Sequence, residues 1–400
     1  MLDCPEIAEA VRKAPDMMGD AALDSYADAA ARCATRFKGE GVDLAGYTMA
    51  EVVEDMEDAR VALGYERINL LGESYGTRLE ILYERMYPEV LKRVIMLAVN
   101  PPGHMVWEPA VIDAQLEDYA SLCAKDASCS ARTDDLMASL HKVSENFPKR
   151  WLIFPIDERG VKMFSFFMLM ESINPPGAPV PLNGPAMIDL WLDAAEGDPS
   201  GMALLTMARN QFMPELFVYG DLLAKGSSGG DFARHAADYR DALNPPGSIL
   251  GSQLSLYHYS FVGGWPIHLI PEEYLQLQPT DVETLLVSGS IDFSTPPQFA
   301  TDELLPYLNH GEQVILRDFA HTETFWNRQE EARTHLLMTF YNNGEVDDSL
   351  YTYEPVDFNP QQTWGGMAKV ALAIVLAVIV LLAAIIWLVV RLIRRRRTAK

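Results

Sequence analysis

Three residues in this chain combine side-chain chemistry and local setting in a way that could support acyl transfer: Ser74, Asp292 and His321. A serine hydroxyl is a weak nucleophile near neutral pH. It needs a base within hydrogen-bond reach, and the base needs a carboxylate to fix its orientation. Ser74 lies in the stretch Arg67 to Met86, RINLLGESYGTRLEILYERM. There an apolar run is followed by Gly72-Glu73-Ser74-Tyr75-Gly76, and then by Leu79, Leu82 and Tyr83 at helical spacing. This is the pattern of a nucleophile elbow, a sharp strand-to-helix turn that lifts the serine hydroxyl out of the surface and aims the helix N-terminal N–H groups at it. The crowded turn predicts that a Cβ is unwelcome at both Gly72 and Gly76. The five-residue motif alone also occurs in ordinary strand–helix turns, so the flanking patterns carry the catalytic reading.

The partners stand late in the chain. Asp292 follows the short apolar strand pattern Thr284 to Ser288 through Gly289-Ser290-Ile291, and His321 follows the strand pattern Gln313 to Leu316 through Asp318-Phe319-Ala320. Taken singly, Asp292 reads as a turn-forming residue and His321 as a helix cap. Their common position just past strand ends, on what would be the same carboxyl edge as Ser74, favours an orienting acid and a base. The other seven histidines have no such setting. No metal or nucleotide motif occurs, so no cofactor and no metal are expected.

These residues must be positioned by an alternation of strands and helices. Residues 5–64 read as helices, the last starting at the N-cap Thr48 and carrying Val52, Val53, Met56, Ala59 and Leu63 at helical spacing. Strands are predicted at Ile68 to Leu71 and at Val94 to Val99, with the elbow helix between them, the signature of a parallel sheet. Asn100-Pro101-Pro102-Gly103 then breaks the pattern, and up to about residue 280 the chain is rich in helical, Met- and Trp-containing segments. The alternation resumes at Glu283, with a helix expected from Pro296-Pro297 to about Leu308 and a last helix through about Tyr341. The expected organisation is an α/β body in two parts, 1–103 and 281–343, around a helical cap at 104–280, followed by a stalk at 344–367, a membrane helix at 368–390 and a basic tail at 391–400.

The membrane helix rests on Val370 to Val390, VALAIVLAVIVLLAAIIWLVV, which has no charged residue. At helical rise it is roughly 31 Å long, enough to cross a bilayer core. The RLIRRRR sequence after it places the tail in the cytoplasm and the preceding chain outside, so a single-pass cell-membrane protein with an extracytoplasmic body is expected, its helix partnered by lipid. The formal charge is −24, and six of the 32 basic residues lie in residues 391–400. An acidic body of this kind argues against a nucleic-acid partner. Cys4 and Cys33 flank a helical segment, and Cys123 and Cys129 are six apart. Two local disulfides fit an oxidising location, although four thiols allow three pairings and buried free thiols are the alternative.

The sequence resembles the α/β-hydrolase serine aminopeptidases, the proline iminopeptidase and tripeptidyl aminopeptidase group. The segments that carry the likeness are GYERINLLGESYGTRLEILYERMYPEVLKRVIML, LLVSGSIDFSTPPQFA, FAHTETF and the Asp3-Cys4-Pro5 start. The resemblance covers most of residues 3–340, weakly in the cap, and implies an α/β-hydrolase fold with an inserted helical cap. It implies Ser74 as nucleophile, Asp292 as orienting acid, His321 as base, and the Tyr75 backbone N–H as one oxyanion donor. The family commonly has Gly where this chain has Ala320 before the histidine. Its members also precede the equivalent of Asp3 with several strands and a His-Gly-Gly-Pro-Gly loop that gives the second oxyanion donor, and no such loop occurs in these 400 residues. A partial parallel sheet, with its N-terminal strands missing and Met1 internal to a longer protein, is therefore expected. The expected activity is a membrane-anchored serine hydrolase that releases residues or short peptides from peptide N-termini. The alternatives are an esterase acting on small acyl substrates, or a non-catalytic surface binding protein.

Overall fold

In the computed structural model residues 1–14 and 16–398 are described. Helices α1 (Pro5–Lys13), α2 (Asp20–Gly39) and α3 (Met49–Leu63) come first. Thr48 caps α3 by accepting the Glu51 N–H at 3.4 Å, and Gly64 closes it in a left-handed conformation with φ 75°. Strand β1 (Ile68–Glu73), helix α4 (Tyr75–Met86) and strand β2 (Leu91–Leu97) form the expected alternation. The insertion that follows contains α5 (Pro109–Cys123), α6 (Ala127–Ser130), α7 (Leu136–Glu145), the hairpin β3 (Arg150–Trp151) and β4 (Phe154–Pro155), and α8 (Glu158–Leu169). It continues with α9 (Gly184–Ala195), α10 (Ser200–Leu216), α11 (Tyr219–Ser227), α12 (Tyr239–Ala242) and α13 (Gln253–Val262). Strands β5 (Glu283–Gly289) and β6 (Gly311–Leu316), then α14 (Glu323–Asn327), α15 (Glu330–Asn343) and α16 (Trp364–Thr398), complete the chain.

The main sheet has the order β1-β2-β5-β6, all neighbours parallel. β2 and β5 are central and buried on both faces, which explains their continuous apolar runs. Alternate residues face opposite layers: Val94, Met96 and Leu286 pack with Val53, Leu82 and Tyr83 of α3 and α4. Ile95, Leu97, Leu285 and Val287 pack with Phe325, Leu336 and Phe340 of α14 and α15. β1 pairs only with β2, so among the described residues it is an edge strand, with Leu71 exposed. The fold is that of an α/β-hydrolase: a parallel sheet between helical layers, with a helical cap inserted between β2 and β5.

Three expectations are corrected. Helices α1 and α2, expected within the body at 1–103, belong to the cap's hydrophobic cluster. A disulfide joins Cys4 to Cys33, and Tyr26 stacks on Phe261 of α13 at 4.9 Å between ring centroids, so this helical pair closes over the insertion and not over the sheet. The second disulfide is Cys123–Cys129. The segment after Pro296-Pro297 is a wide π-turn at Phe299–Leu304 and a 3-10 turn at Leu305–Tyr307, because Pro306 has no N–H with which to continue a regular helix. The stretch 344–367 does not stand away from the molecule: Val356, Phe358 and Trp364 are buried in the cap cluster. Its many prolines and acids hid three widely spaced apolar anchors.

Helix α16 begins on that docked base. A Cβ at Gly201 of α10 would lie 2.9 Å from Trp364 Cβ, the Trp364 indole N–H donates to Pro181 O at 3.0 Å, and Lys369 pairs with Asp198 at 2.5 Å. From Ile374 to Ile393 every large apolar side chain is exposed, and α16 is long and apolar enough to be a single-pass membrane anchor. The last two residues of the basic tail lie outside the described residues.

Candidate active site

Because all four strands run the same way, the residues that follow β1, β5 and β6 emerge on one edge. Ser74 is the residue between β1 and α4, with φ 52° and ψ −122°. That strained conformation is held from several sides. The Ser74 N–H donates to Leu97 O at 2.9 Å, and its carbonyl accepts the Thr77 N–H at 3.0 Å and the Thr77 hydroxyl at 2.7 Å. Thr77 Oγ1 in turn accepts the Asn100 N–H at 2.9 Å, so the end of β2 braces the elbow. A Cβ on Gly72 would sit 2.7 Å from the buried Glu80 carboxyl and 3.0 Å from the Gly76 carbonyl carbon, which requires glycine there. A Cβ on Gly76 meets nothing within 4 Å, so the steric demand expected at both glycines exists at only one.

The three candidate residues converge. His321 Nε2 is 2.9 Å from Ser74 Oγ, and His321 Nδ1 is 2.9 and 3.0 Å from the two oxygens of Asp292. With Nδ1 protonated and donating to Asp292, Nε2 is the acceptor for the serine hydroxyl. Asp292 is fully buried and also accepts the N–H groups of Ser294 and Thr295 at 2.9 and 2.8 Å and the Thr295 hydroxyl at 2.8 Å. These bonds satisfy its lone pairs and fix both oxygens toward the imidazole. A Cβ at Gly289 would collide with the carbonyl oxygens of Phe319 and Ala320, so this glycine lets the acid loop and the histidine loop touch. Ala320, in place of the family's glycine, is accommodated as a buried side chain.

Burial opposes a charge on His321, but Asp292, then Glu171, then Glu73 overcome it and move its pKa above the ordinary histidine value. Glu73 precedes the serine and accepts the Trp326 indole N–H at 2.6 Å. Tyr75 opens α4 directly after Ser74, which sets its backbone N–H in the helix's first turn. Sequence patterns gave no signal for Thr295, Glu171 or the buried pair Arg78–Asp231. That pair joins α4 to the cap at 2.7 and 2.9 Å with both side chains almost fully buried.

Against known proteins, residues 25–121, which include the elbow, match the alpha/beta hydrolase fold family. A 78-residue stretch is 33% identical to the tripeptidyl aminopeptidase of Streptomyces lividans, covering 19% of this chain and 14% of that protein. A 100-residue stretch is 30% identical to serine protease Hip1 of Mycobacterium tuberculosis, covering 24% and 19% of the two chains. The matched stretches thus span less than a fifth of the length of these relatives. Among solved structures, an alpha/beta hydrolase enzyme from a Medee basin deep-sea metagenome library overlaps 77% of this chain and 76% of its own, at 14% identity and a TM-score of 0.34.

Proposed function

We infer that this chain, an α/β-hydrolase related in sequence to peptidases, is a membrane-anchored serine aminopeptidase that works through an acyl-enzyme. The observation that carries the reading is the continuous line from Ser74 Oγ through His321 to Asp292, each link 2.9 to 3.0 Å, made by residues that follow three different strands. Ser74 Oγ attacks the substrate carbonyl carbon while His321 Nε2 takes its proton, and Asp292 stabilises the imidazolium that results. The Tyr75 N–H, at the positive end of α4, donates a hydrogen bond to the developing oxyanion. His321 returns the proton to the leaving amine, and a water activated by the same nitrogen then cleaves the ester and restores Ser74.

The peptide substrate is supported by the likeness to a tripeptidyl aminopeptidase and a serine protease over the stretch that aligns. The helical cap over the catalytic edge suits chain ends better than chain interiors. The anchor is α16, with its arginine cluster cytoplasmic and the hydrolase body outside. The test uses a fluorophosphonate probe on the full chain: wild type is labelled and Ser74→Ala is not. Equal labelling of both overturns the nucleophile assignment. Turnover of aminoacyl-naphthylamides in preference to short-chain esters is the expected substrate profile, and the reverse preference would make the chain an esterase.

A further inference from the structure

The segment Met170-Glu171-Ser172, where the cap leaves α8, is closed upon the loop that carries His321. Met170 O accepts the His321 N–H at 2.9 Å. Glu171 Oε1 accepts the N–H groups of Thr322 and Glu323 at 2.9 and 3.0 Å, and Oε2 accepts the Thr324 N–H at 3.3 Å and its hydroxyl at 3.4 Å. The hydroxyls of Ser172 and Thr324 are 3.0 Å apart. At its other end the segment is fixed to α9, since the Gly184 N–H donates to Glu171 O at 2.7 Å. Helix α14 has no side-chain cap of its own, so its first N–H groups would be orphaned without this carboxylate from a segment about 150 residues earlier. Glu171 is 8% exposed, and burial raises its carboxyl pKa against the opposing pull of the Glu323 N–H, His321 and the Thr322 N–H; when ionised, its bonds to these N–H groups are charge-assisted and strong.

We propose that Glu171 is a positioning residue for the base: through it the cap holds His321 in register with Ser74 and Asp292. The cap is then part of the catalytic frame and not only a cover over the substrate. This rests on the Ser74–His321–Asp292 reading. Motion of the cap that carries Met170 and Glu171 away would also release the backbone of the base. Three carboxylates bear on the imidazole, Asp292 at contact, Glu171 from the cap and Glu73 from the elbow, and Tyr119 faces Glu171 from α5.

The test measures the second-order rate of fluorophosphonate labelling of the full chain from pH 5 to 9, with thermal unfolding recorded for each variant. Glu171→Ala is expected to slow labelling about 10- to 100-fold, the loss that follows when several buried donors lose a charged acceptor. Glu171→Gln keeps one carbonyl acceptor and should recover part of that rate. In both variants the acid limb of the profile should move to lower pH, because one of the negative charges that favours protonated His321 is gone. A purely structural contribution would lower the melting temperature and leave the limb of the folded protein where it was. Rates within twofold of wild type, or an unmoved acid limb, in Glu171→Gln overturn the proposal, and this variant alone decides if Glu171→Ala does not fold. Ser74→Ala separates the two readings: if it labels like wild type the triad assignment fails, whereas a silent Ser74→Ala beside wild-type behaviour of the Glu171 variants overturns only the positioning role.

Discussion

At Ser74 the backbone is held at φ 52°, and the cost of that conformation is met by a hydrogen bond to Leu97 O, by those from the Thr77 N–H and hydroxyl, and by the absence of a side chain at Gly72. The two glycines of the elbow should therefore respond differently to the same change. Gly72→Ala puts a methyl 2.7 Å from the buried Glu80 carboxyl and 3.0 Å from the Gly76 carbonyl carbon, so the buried acid or the turn must shift, and the change should destabilise the fold by about 1–3 kcal/mol. Gly76→Ala lies in open space on the first turn of α4, where alanine is the better helix former by up to about 1 kcal/mol, and it should be neutral or mildly stabilising. Denaturant midpoints of the two variants check this, and equal losses would show that the turn itself, and not the Glu80 contact, demands glycine. The motif was legible as a string, but which glycine mattered depended on a glutamate one turn away along the helix.

Helix α4 carries the elbow and also two buried acids one turn apart. Burial, followed by the charge of Glu84, drives the Glu80 carboxyl well above its ordinary value, and neither of its oxygens has a partner among the described residues. Burial likewise raises Glu84, to about 8, against the opposing effect of the Thr284 hydroxyl, which donates to it at 2.9 Å. An acid with a raised folded pKa binds its proton more tightly in the native state. Stability is then at its full value below the unfolded pKa near 4.5 and falls as pH rises toward about 8, above which the loss levels off. Melting temperature should decline over that window, and Glu84→Gln, which mimics the protonated form, should flatten part of the decline. A parallel fall in variant and wild type would assign the slope to other groups. Sequence periodicity placed α4 correctly but carried no information on the burial of the acids at positions 80 and 84, since burial on the second face of a helix is set by what packs across from it.

At the scale of the whole molecule, the base of the long apolar helix α16 is fixed to the cap, through Trp364 against Gly201 and Pro181 and through Lys369 with Asp198. The cap in turn carries the N-terminal disulfide-linked helices and holds the histidine loop. Trp364→Ala should therefore act on the cap: removing a side chain that is 2% exposed costs about 3–5 kcal/mol locally. Limited proteolysis in the segment 344–363 should accelerate in that variant. Unchanged cleavage would mean that Val356 and Phe358 hold the segment without the tryptophan.

Much of this protein was written in local pattern. The elbow, the two strand-end partners, the N-cap at Thr48, the parallel alternation and the apolar C-terminal helix depend on neighbours within a few residues, and periods of 2 and 3.6 report them directly. What only the tertiary structure decided are the contacts between segments far apart in the chain. These are the seating of α1 and α2 on the cap, the burial of Val356, Phe358 and Trp364, the pair Arg78–Asp231, and the reach of Glu171 to the loop of His321. Each depends on which surfaces meet, and a carboxylate destined for backbone N–H groups about 150 residues away looks, in the sequence, like any other glutamate.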